Sequence, residues 1–149
     1  MSPREGRRHR RASTTTSQGE DRARERARAA KLAVLERWMS VEFPSFGRWV
    51  SPERAERIAR RAAPGTFSIV FRAMPASTWA ECDYDRRQIL LPPEPIPLFV
   101  VLHELGHAWA PVSTHSRAFL ESYQLRVWEH FGNAKMSRAF EKGCALILK

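Results

Sequence analysis

The chain has 149 residues and a mass of 17.2 kDa, of which 43% are hydrophobic and 10% aromatic, enough for one domain with its own core and too much for a wholly disordered chain. The longest unbroken apolar stretch, residues 98–102, is far too short to span a bilayer, and no apolar segment follows the arginine-rich front, so neither a membrane helix nor a secretory signal is expected. Cys82 and Cys144 are too few for a disulfide framework and too far apart for a CxxC pair, which predicts a reduced, cytoplasmic protein.

The net charge of +9 is unevenly placed. Residues 1–31 carry ten Lys/Arg against four Asp/Glu, and residues 32–149 carry fifteen against twelve, so most of the excess lies at the front. Residues 1–19 have almost no apolar side chains and cannot offset their ordering entropy, which predicts a disordered basic tail ahead of a domain at 20–149. The cluster Arg7, Arg8, His9, Arg10, Arg11 is suited to non-specific, salt-sensitive contact with nucleic acid. No aromatic interleaves with it, so it offers no stacking platform for single strands.

From about Glu20 the pattern turns helical, with Ala23, Ala27, Ala30 and Val34 in one row beside Leu32, Leu35, Trp38 and Met39. Pro44 stops that helix near Phe43, and Phe46, Trp49 and Val50 are apolar anchors in the segment behind it. Ser51 and Pro52 read as an N-cap and first helical residue, with Ala55, Ile58, Ala59 and Ala62 on one face and Pro64-Gly65 as the stop. Residues 66–72, 77–82 and 87–91 are candidate strands, the last two joined through the turn chemistry of residues 83–86. A helix over 97–110 buries Leu98, Val101, Leu102, Leu105 and Trp109 and ends at Pro111. Past a short loop come a helix with the apolar stripe Phe119, Leu120, Tyr123, Val127, Trp128 and Phe131, a stop at Gly132, and a last helix over 134–148. The expected architecture is α+β: a small antiparallel sheet of about three strands packed on helices.

His103-Glu104-Leu105-Gly106-His107 is an HExxH match on the predicted 97–110 helix. Two histidines four residues apart lie about 40° from one another around a helix, one turn above the other, so both imidazoles can reach one ion. Glu104 projects beside them, placed to take a proton from water that zinc has acidified, and the resulting hydroxide can attack a carbonyl. A third ligand is required. His115 lies just past the helix, where the chain can fold back. Glu121, Glu129 and His130 on the next helix are competitors, Glu129 the better of them by distance along the chain, whereas His9 in the tail is a poor candidate. Cys82 reads as a small buried apolar residue rather than a ligand. Tyr123 or Arg117 could steady an oxyanion, and residues 87–91 or 77–82 could offer a free strand edge to an extended peptide.

The stretch from Ile89 to Phe119, with Leu91-Pro92, Val101 to His107, His115 and Phe119, resembles small actinobacterial and phage metallohydrolases of the zincin class, distant relatives of the SprT-like metallopeptidases. Ser116 departs from that pattern, standing where the family has glycine. The resemblance implies a zincin-like fold, Zn2+ held by His103, His107 and His115, and Glu104 as catalytic base; the leading reading is a zinc-dependent hydrolase, a peptidase acting on a polypeptide substrate. Two further readings are a DNA-associated peptidase acting on DNA-bound proteins and a non-catalytic zinc-binding interaction module.

Overall fold

The computed structural model describes the backbone of residues 3–110, 112 and 114–149, and side chains from residue 17 onward. The element order is α1 (Pro3–Glu42), β1 (Trp49–Val50), α2 (Pro52–Ala62), β2 (Ser68–Phe71), β3 (Glu81–Asp83), β4 (Gln88–Leu91), β5 (Ile96–Pro97), α3 (Leu98–Trp109), α4 (Arg117–Phe131) and α5 (Ala134–Ile147). The class is α+β, as the alternation of helical and strand periods predicts.

The sheet departs from an all-antiparallel arrangement. Its strand order is β2-β4-β3, with β4 antiparallel to β3 but parallel to β2. The β3–β4 hairpin is the one expected from the 83–86 turn, where Asp83 Oδ1 accepts from the Arg86 N–H at 3.1 Å and Arg87 takes a positive φ of 51°. The parallel β2–β4 pairing is a long-range contact, which local turn chemistry cannot announce. A second, two-residue ladder pairs β1 with β5. Because β4 lies in the middle of its sheet, residues 87–91 have no free edge; β3, at the end of the 77–82 candidate, forms one edge.

Helix α1 begins at Pro3, upstream of the start expected near Glu20. Apolar periodicity registers a helix only where it meets other elements, and residues 3–19 carry none. The side chains of the Arg7–Arg11 cluster lie outside the described residues. The buried face of α1 is also not the alanine row: Leu32, Glu36 and Met39 are buried while Val34 is 56% exposed.

The caps match the sequence more closely. Ser51 accepts from the Arg54 N–H, Ser116 from the Phe119 N–H and Asn133 from the Met136 N–H, and Gly132 closes α4 in the left-handed conformation. Helix α3 has no side-chain cap at Pro97. Its first two N–H groups instead donate to the carbonyls of Arg48 (2.8 Å) and Phe46 (3.1 Å), satisfying donors that a bare helix start leaves orphaned. Around this anchored start, Phe46 stacks on Phe99 at 5.4 Å and lies 5.8 Å from Phe140 of α5, so α3 is buried on nearly every side. Trp109 and Trp128, expected in the core, are each about half exposed; Trp109 reaches out to donate to the Ala62 carbonyl at 2.7 Å. Among the described residues no helix is long and apolar enough to cross a membrane.

Candidate metal centre

Helix α3 carries His103 and His107 one turn apart, and the segment leading into α4 brings His115 against them. The three ring centroids are 5.2, 5.2 and 5.1 Å apart, close to an equilateral triangle. One ligand atom from each ring can be chosen so that all lie within 4.8 Å of one another. Phe119 forms the floor of this triangle, stacked on His107 at 4.0 Å and 5.0 Å from each of the other two rings.

The outer nitrogens are engaged elsewhere. His103 Nδ1 lies 3.0 Å from Glu36 Oε2, His115 Nδ1 lies 2.6 Å from Glu25 Oε1, and His107 Nδ1 lies 3.4 Å from the Val112 carbonyl. With Nδ1 of each ring protonated and donating outward, every Nε2 is left with a lone pair for the interior. The Nε2 atoms of His103 and His115 are 3.2 Å apart. Two nitrogens on a tetrahedral zinc at 2.0–2.1 Å should be separated by about 3.3 Å, so the donor set fits such an ion in type and the His103–His115 pair fits it in spacing.

The surroundings set the charge of the three rings unequally. Burial, and then the neighbouring His103 and His115, push His107 down to about 3. Burial and His103 likewise lower His115, against the pull of Glu25. At His103 burial also acts downward, but the Glu36 carboxylate outweighs it and the imidazole sits above its ordinary range. Three crowded rings that cannot all carry a proton suit a cation held in common.

Glu104 lies on the cleft side of α3. Burial pushes its carboxyl up to about 7, against the pull of His103 and of the Cys82 backbone N–H. The cleft above the histidines encloses about 300 Å³ and is lined by Ala80, Glu81, Cys82, Tyr84 and Val112. A second, mostly apolar hollow of about 360 Å³ adjoins it through His103 and Glu104, with Ala33, Trp79, Phe99 and Val100 as walls. The Cys82 thiol, raised to about 12 by burial and then by the carboxylates of Glu104, Asp83 and Glu81, stays protonated and is not among the converging groups.

Other sequence candidates lie elsewhere. Glu129 pairs with Arg126 at 3.5 Å, and with His130 it lines a hollow on the far side of α3 beside Leu102 and Leu105. Glu121 is exposed and does not join the histidines. Tyr123 cannot serve an oxyanion: its hydroxyl is fully buried behind His103, donating to Glu36 Oε2 at 2.8 Å. Arg117 is exposed, on the first turn of α4. Ser116 has φ −72°, a conformation open to any residue, so the position needs no glycine and its hydroxyl caps α4.

Sequence reading missed Glu25 and Glu36. A signal existed: eleven residues at 100° each return to within about 20°, which places both on the stripe of α1 that holds Leu32 and Met39. Gly106 lets α3 and α4 approach closely. A Cβ there would lie 3.0 Å from the Phe119 ring and 3.3 Å from the Tyr123 backbone. Gly106→Ala is expected to cost about 1–3 kcal/mol and to weaken metal binding as α4 shifts, checked by thermal melts and zinc titration; unchanged values in both would show that the helices have slack. Compared with family models, with curated proteins and with solved structures, the chain finds no match.

Proposed function

We propose that the chain is a zinc-dependent metallohydrolase of zincin-like build, a metallopeptidase in its simplest form, with His103, His107 and His115 as ligands and Glu104 as general base. One observation carries this reading: a ligand atom from each of three imidazoles lies within 4.8 Å of the others, and the Glu104 carboxylate lines the same cleft. When bound, zinc supplies Lewis acidity, lowering the pKa of a coordinated water to about 7 and polarising a carbonyl.

The chain's own residues do the rest. Glu104, on the cleft side of α3, accepts a proton from water and returns it to the leaving amine, the work of a general base and then a general acid. Strand β3 forms the cleft wall at Glu81 and Cys82 and is an edge of its sheet, so an extended backbone can lie along it. The adjoining hollow walled by Trp79, Phe99 and Val100 offers an apolar side chain of that backbone a place next to Glu104. A purely structural zinc site is closed by a fourth protein ligand. Among the described residues none joins the three histidines, and the cleft supports the open, catalytic reading.

The test is to incubate the zinc-loaded protein with a diverse peptide pool and read new termini by mass spectrometry. Cleavage that disappears in Glu104→Gln is the expected result; cleavage that persists in that variant, or none by the wild type, would reject the proposal.

A further inference from the structure

We infer that Glu25 and Glu36 of α1 are positioning residues of the metal site, so that docking of the N-terminal helix and uptake of the ion are one linked event. The inference rests on the metal reading above and adds to it a role for a helix outside the HExxH region.

A neutral imidazole carries its proton on either nitrogen, and only one of the two tautomers leaves Nε2 free to bind. A carboxylate at Nδ1 selects that tautomer and fixes the ring plane. Two of the three histidines receive theirs from α1. Glu36 is 6% exposed, and its Oε2 takes both His103 Nδ1 (3.0 Å) and the Tyr123 hydroxyl (2.8 Å), so it is braced from α4 as it holds α3. Glu25 grips His115 at two places: its carboxylate accepts from the backbone N–H at 2.9 and 3.1 Å and meets ring Nδ1 at 2.6 Å. His115 lies between α3 and α4, outside both sheets, so this grip ties down a residue that no helix or strand holds. His107, by contrast, faces only the Val112 carbonyl, at 3.4 Å. Whatever holds the rings in place raises metal affinity, and by reciprocity the bound ion must favour the docked helix.

The test uses the full chain, with zinc affinity measured by chelator competition and α1 amide exchange followed with and without zinc. Glu25 is the position to vary: it is partly exposed, so its removal leaves no sealed, unpaired group. Glu25→Ala is expected to weaken zinc binding 10–100-fold. Glu25→Gln should recover most of the loss, because its amide oxygen still accepts from Nδ1–H. Zinc should slow exchange across residues 25–36 in the wild type and much less so in Glu25→Ala. Wild-type affinity in Glu25→Ala would overturn the inference while leaving the metal reading in place. An equal loss in Glu25→Gln would assign the effect to charge and overturn positioning through the hydrogen bond. A wild-type chain that takes up no zinc would overturn both.

Discussion

Glu104→Gln is expected to retain zinc in full and to lower peptide hydrolysis by about 10²–10⁴-fold, the usual contribution of a positioned general base. The substitution keeps the size and planarity of the side chain, and Glu104 is not one of the converging ligands, so the histidine triangle has no reason to open. What it removes is the carboxylate that can take a proton beside the three histidines. An amide cannot take that proton. Metal content and turnover measured on the same preparation separate the two roles. Loss of zinc together with activity would make Glu104 a ligand, and undiminished turnover would place the base elsewhere.

Phe46→Ala is expected to cost about 3–5 kcal/mol, the range for truncating a fully buried aromatic. For a chain of this length that corresponds to a fall in Tm of roughly 6–20 °C. Phe46 is 0% exposed and lies at the meeting point of three helices, stacked on Phe99 of α3 at 5.4 Å and within 6.2 Å of Phe131 and 5.8 Å of Phe140. Its backbone carbonyl caps the start of α3, and that bond survives the substitution. Stability should therefore fall more than zinc affinity does. A loss below about 1 kcal/mol would mean that the aromatic cluster repacks around the gap.

How much of this was legible in the sequence depended on whether the signal was local. The cap at Ser51, the left-handed stop at Gly132 and the hairpin turn at 83–86 are short-range chemistry, and they are found where the residues place them. The phase of His103 and His107 on one helix is likewise local. Distant pairings were not legible: the parallel β2–β4 ladder joins residues about twenty apart, and the β1–β5 ladder rests on two residues a side. His115, just past the end of α3, was the expected third ligand with Glu129 as its rival, and the segment before α4 brings His115, not Glu129, to the other two rings. Glu25 and Glu36 were hidden for a different reason. On a helix with a row of alanines the eye follows the apolar residues, yet the buried stripe runs through Leu32, Glu36 and Met39. A carboxylate in such a stripe is costly unless something pairs with it, and here His103 and Tyr123 do.

Metal analysis of three purified chains decides whether three imidazoles grip one divalent ion. The wild type and Glu129→Ala should each carry about one zinc, while His115→Ala should lose it or hold it far more weakly. Full zinc in His115→Ala with loss in Glu129→Ala would contradict the account.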